Sequence, residues 1–149
     1  MRSLVLVVVD GLTPSVFERA VETDETPALA FLARHGRYAR ATSTFPSLTP
    51  VCVSSIATGA HPDVHHIPHL VWFDRDERRI VEYGSSLGAI VAAGTRRSLV
   101  DTIFDLSARH LSGEATTVFE ALDDAGLVTA AVNFTCYRGR TEHRATLPG

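Results

Sequence analysis

The residues best placed to do chemistry are a threonine and an aspartate. Thr49 lies in Ser47-Leu48-Thr49-Pro50, a stretch that runs on to Thr58-Gly59. This pattern predicts a helix with Thr49 as N-cap, Pro50 as first helical residue and Gly59 as its stop. A hydroxyl there sits in the field of first-turn amides, which favours negative charge nearby. Such a place can hold a phosphate and lower the pKa of an attacking hydroxyl. The same signals also describe an ordinary capped helix. Asp10 ends the apolar run of residues 4–9. A carboxylate and a threonine alkoxide are suitable ligands for a divalent metal. Together they imply metal-activated nucleophilic attack at phosphorus. The other reading of Asp10 is a loop carboxylate capping the helix that begins at Thr13.

Four imidazoles, His61, His65, His66 and His69, fall within one short segment. They could bind zinc, but Pro62 and Pro68 break helical pairing, and a polar loop beside the active edge is the competing reading. Asn133, Tyr137, Arg138 and Arg140 follow the last apolar run. Arginine forks suit phosphate oxygens, and a solvated loop is the alternative. Trp72 and Phe73 read as hairpin packing or as a pocket wall. Cys136 reads as a small packed hydrophobe.

Elements must bring these residues together. Residues 4–9 are a β-branched run without alternation, the mark of a strand covered on both faces. Thr13-Pro14 and Thr26-Pro27 each start a helix, the second ending at Gly36. Residues 37–44 read as a second strand and 127–134 as a third. Residues 71–73 and 79–83 flank a polar turn and predict a surface hairpin. Residues 84–94 are ambiguous, residues 98–111 predict a helix, and Thr117…Glu120 is a capping box for another. The expected fold class is α/β: a mostly parallel sheet with flanking helices and an inserted β-hairpin. Asp10 and Thr49 would meet at the sheet edge where such folds bind ligands.

The chain has 149 residues, enough for one core. A net charge of −3, with all fourteen cations arginine, gives no basic field for duplex nucleic acid. Two distant cysteines suggest neither a disulfide scaffold nor a cysteine zinc site. No export signal or membrane-length apolar run is visible. The expected location is cytoplasmic. Only three buried strands are identifiable, fewer than a doubly wound sheet usually has. The expectation is therefore an incomplete core with an exposed sheet edge at which copies self-associate.

Val7-Val8-Val9-Asp10-Gly11, Thr26-Pro27 with Leu29 and Leu32, Thr49 with Thr58-Gly59, and His61 to Ile67 occur in an order that resembles the alkaline phosphatase superfamily. The branch it resembles is the type I phosphodiesterase/nucleotide pyrophosphatase group. The resemblance covers most of residues 4–74 and resumes at 117–132. It implies an alkaline-phosphatase-like core with two zinc ions in the complete domain. It also implies a threonine that attacks phosphorus in line and carries it as a phospho-threonine. On that pattern Asp10 is a metal ligand, and Thr49 is both nucleophile and ligand. Thr44, in Thr44-Phe45-Pro46, is a second match for the nucleophile. The group's His-Gly-Ile is here His65-His66-Ile67, and its phosphate-binding Asn aligns near Leu70, where His69 could substitute. The remaining metal ligands of the group lie in its later part. The resemblance thus casts residues 1–149 as the N-terminal portion of one domain, with little or no hydrolase activity alone. The implied substrate is a small phosphate ester or nucleotide. Two other readings stay open: a non-catalytic α/β remnant binding a phosphate or a protein partner, and a small His-rich zinc-binding module.

Overall fold

A computed structural model of the chain describes residues 3–23 and 25–141. They form a mixed α/β arrangement of short helices and one two-stranded antiparallel sheet. They divide into two compact units, one within Met1–Thr42 and one within Ser43–Gly149.

The first unit pairs α1 (Pro14–Val21) with α2 (Pro27–His35). Thr13 caps α1 as its sequence predicts, its hydroxyl oxygen accepting the Val16 amide at 3.4 Å. Thr26 precedes Pro27 but does not cap α2; its hydroxyl donates instead to the Ala20 carbonyl at 2.6 Å, tying α2 to α1. Tyr38 stacks on Phe17 at 5.0 Å, and Tyr38 and Arg40 both donate to the Glu18 carboxylate. Those donors, Arg40 foremost, hold the Glu18 carboxyl below its ordinary range.

Residues 4–9 are extended but pair with no strand, and their side chains run from 39% exposed at Val8 to 86% at Leu4. Residues 37–44 and 127–134 likewise carry no ladder. This corrects the expectation of three buried strands. β-Branched composition favours an extended backbone, but a ladder exists only where a second strand lies about 4.8 Å away. Among the described residues no parallel sheet forms, and the alkaline-phosphatase-like core is not seen.

The second unit holds α3 (Thr49–Thr58), the single turn α4 (Pro62–His65), and the hairpin β1 (Val71–Asp74) and β2 (Arg79–Glu82). It continues with α5 (Leu87–Ala93), α6 (Thr95–Val100), a π-helix π1 (Asp101–His110) and α7 (Val118–Asp124). The hairpin pairs Val71 with Glu82 and Asp74 with Arg79. Asp74 Oδ1 accepts the Asp76 and Glu77 amides at 2.8 and 2.9 Å, an Asx turn that closes it. The hairpin is not a surface appendage. Val81 and Glu82 are 0% exposed, and Val81 and Tyr83 join Val53, Ala57, Ile67, Leu106, Leu111 and Cys136 in the core. The buried Glu82 carboxylate is satisfied locally, accepting the Gly84 and Ser85 amides and the Ser85 hydroxyl. The capping box at α7 forms as predicted, with Thr117 and Glu120 satisfying each other's amides.

Candidate functional site

Helix α3 is anchored by its own composition. Pro50, Val51, Val53, Ser54 and Ala57 are buried, and Gly59 closes it in the left-handed region at φ 67°. Thr49 stands exposed at its first residue, one place later than predicted. Leu48 is the N-cap, extended at φ −119° and ψ 145°, and its carbonyl already accepts the Cys52 amide at 2.8 Å. Pro50 has no N–H, so the first-turn amides come from Thr49 and Val51. An exposed threonine at the first residue of a helix is the arrangement a phosphate-directed nucleophile needs.

Asp10 is exposed and leads into a turn at Gly11, whose φ of 74° suits glycine. Asp10 belongs to the first unit and Thr49 to the second. Two oxygen donors suit a divalent cation in kind but fall short of the four ligands zinc takes.

The loop histidines are divided in role. His65 is fully buried, and its Nδ1 accepts the Ile67 amide at 3.1 Å. The proton then resides on Nε2, which donates to Ser55 Oγ at 3.1 Å. A ring donating to the serine cannot take its proton, so Ser55 and His65 form a strap between α3 and α4 rather than a nucleophile pair. His61 and His66 are exposed, and His69 Nδ1 accepts the Val71 amide at 3.3 Å. Among the described residues these histidines do not bring three ligand atoms together.

Residues after 132 also have definite partners. Asn133 is exposed, in the left-handed region at φ 51°. Tyr137 Oη donates to the Ile103 carbonyl at 3.0 Å. The Arg138 guanidinium donates to the carbonyls of Leu111, Ser112 and Ala115 and to Glu120. Arg140 pairs with Glu120 and Asp124. Cys136 is fully buried, and burial pushes its thiol up to about 11, which suits a packing role.

A second constellation is absent from the motif reading. Asp101, Asp105 and His110 of π1 are all buried, and each offers a ligand atom within 4.8 Å of the others. Asp74, Glu77 and His110 form a second such group. The acids at spacing i, i+4 were visible in the sequence; that His110 shares their face was not. His110 Nδ1 lies 2.7 Å from Tyr83 Oη, and Trp72 meets the ring edge-on.

Burial lowers the pKa of both His65 and His110 from the ordinary 6.5. The carboxylates of Asp101, Asp105 and Glu77 oppose this at His110, as Asp63 does at His65. A histidine depressed in the folded state binds its proton more readily unfolded, so its contribution is present above about 6.5 and is lost as pH falls below it. We expect thermal stability to fall between pH 7 and pH 5, less steeply in His65→Asn, whose amide oxygen can still accept from Ile67. A flat profile in the parent chain would contradict this.

The sequence model of the family described as type I phosphodiesterase / nucleotide pyrophosphatase matches residues 4–146. Neither curated proteins nor solved structures gave a match. The matched span takes in Asp10, Thr49 and the whole of the second unit up to residue 146. With nearly the entire sequence covered, the chain belongs to the type I phosphodiesterase / nucleotide pyrophosphatase family, consistent with a branch of the alkaline phosphatase superfamily.

Proposed function

We propose that this chain supplies the nucleophile end of a metal-dependent phosphodiester or pyrophosphate hydrolase. The family match that holds Asp10 and Thr49 in order carries the reading. Thr49 Oγ1 forms a bond to phosphorus as the bond to the leaving oxygen breaks, and water later releases the phosphoryl group from Thr49. The positive end of α3 stabilises charge on the hydroxyl oxygen and on the phosphate. Asp10 and Thr49 would hold a divalent metal, which when bound would lower the hydroxyl pKa. His69, Asn133, Arg138 and Arg140 lie on the substrate side of this reading. Arg138 would first have to release its backbone carbonyls, so the exposed Asn133 and His69 are better placed. Two free cysteines agree with a reducing, cytoplasmic setting.

Two metal donors are too few for efficient turnover. With Zn²⁺, the 149-residue chain should release nitrophenol from bis(p-nitrophenyl) phosphate at or near the metal-only background. The longest translated form of the gene should hydrolyse it in a reaction stopped by EDTA and restored by Zn²⁺. There Asp10→Asn should raise the zinc needed for half-activation at least about tenfold. Metal-independent hydrolysis, or an Asp10→Asn protein with unchanged zinc demand, would sink the proposal.

A further inference from the structure

The winding of π1 determines which side chains share its face. Asp101, Asp105 and His110 stand at i, i+4 and i+9. In an α-helix nine residues are about two and a half turns, which puts the third residue opposite the first. The i→i+5 pattern, seen in the 3.0 Å bond from the Leu111 amide to the Leu106 carbonyl, widens the turn to about 4.4 residues. Nine residues are then close to two turns, and His110 returns to the face of the two aspartates. A wide helix is rare at this length and tends to mark a functional position.

The second observation is a nitrogen with nothing to bind. His110 is 7% exposed; Tyr83 occupies Nδ1, and Nε2 has no hydrogen-bond partner. A buried polar atom left so asks for an ion or a water. We propose that the side chains of Asp101, Asp105 and His110 form a binding site for one divalent transition cation of the zinc class, separate from Asp10 and Thr49. An imidazole with two carboxylates is a borderline donor set, which selects such an ion over calcium or magnesium.

Arginines hold the site when no cation is present. Arg79 grips both Asp101 oxygens at 2.7 and 2.8 Å, and Arg97 reaches Asp105 Oδ2 at 2.8 Å. Arg97 Nε lies 3.0 Å from Asp101 Oδ1 yet makes no aligned hydrogen bond. Its side chain is also the more exposed, 38% against 24% for Arg79. Arg97 is therefore the group that yields when a cation enters, and Arg109 at the rim adds further repulsion. With Asp74 and Glu77, which also come within reach of His110, four carboxylates meet three guanidiniums.

Equilibrium dialysis against Zn²⁺ with elemental analysis tests this, using the 149-residue chain carrying D10N and T49A to silence the family site. That protein should retain one zinc, as should one further carrying H61N, H66N and H69N. His110→Gln in the same background should weaken zinc binding at least about tenfold, the loss of one of three ligands. Arg97→Gln should tighten it at least about tenfold, because a competing unit charge is gone. A purely structural role for these residues predicts no tightening. If His110→Gln does not fold by circular dichroism, Asp105→Asn takes its place, and the Arg97 result stands independently. Absent zinc binding, binding lost with the loop histidines, unchanged affinity in His110→Gln, or unchanged or weaker affinity in Arg97→Gln each overturns the proposal.

Discussion

Thr49→Ala should abolish turnover in the longest translated form of the gene, lowering kcat by at least about 10³-fold, the scale on which loss of a covalent nucleophile is felt. The fold should survive. Thr49 is exposed at the start of α3, and the residues anchoring that helix, Val51, Val53 and Ala57, lie further along it. Loss of rate with an unchanged melting temperature therefore separates chemistry from folding. Thr44→Val is the paired control. Thr44 Oγ1 is buried without a hydrogen-bond partner. Replacing it by an apolar isostere removes an unsatisfied group and should be neutral or slightly stabilising. Thr44 precedes α3 and is no part of its first turn, so Thr44→Val should keep kcat within about tenfold, a loss of under about 1.4 kcal/mol of transition-state stabilisation. A Thr49→Ala enzyme within tenfold of the parent, or a greater loss in Thr44→Val, would move the nucleophile to Thr44 or elsewhere.

What could be read from the sequence follows the range of the interactions involved. The Thr13 cap, the capping box of α7 and the glycine stop at Gly59 are contacts between near neighbours in the chain, and each is where the residue types place it. Strand pairing depends on distant residues. Residues 4–9 have strand composition but no neighbour among the described residues, so composition alone could not place them in a sheet. The hairpin was legible through its turn; its burial was not, because packing under Val81 and Tyr83 comes from Leu106 and Leu111. In residues 98–111 a helix was legible and its winding was not. Leu99, Ile103 and Leu106 stand at ordinary α-helical spacing, which gives no sign of the wider turn. The likeness between phosphate and carbonyl oxygen limits what can be read from Arg138: both accept from a guanidinium, and only coordinates say which is present. The family was legible because it resides in ordered short motifs, and the match over residues 4–146 agrees with them.

Arg138→Ala should destabilise the second unit by about 3 kcal/mol. Its guanidinium serves the carbonyls of Leu111, Ser112 and Ala115 and both Glu120 oxygens, binding the segment after π1 to the start of α7. The Arg138 carbonyl in turn accepts from the Thr117 hydroxyl, so the capping box and the segment around Arg138 hold each other. Side-chain exposures of 20% for Arg138 and 8% for Glu120 mean that water replaces little of this. Burial alone would push the Glu120 carboxyl up, but the Thr117 amide, Arg138 and Arg140 outweigh it and hold it low. Removing Arg138 leaves a buried carboxylate with only the Thr117 amide and the half-exposed Arg140 in support. Arg138→Lys keeps a charge but not the fork, so it should recover less than half of the loss. Urea unfolding at pH 7 measures both. A loss under about 1 kcal/mol in Arg138→Ala would show that the carbonyls find other donors, and would return Arg138 to the substrate side of the active site.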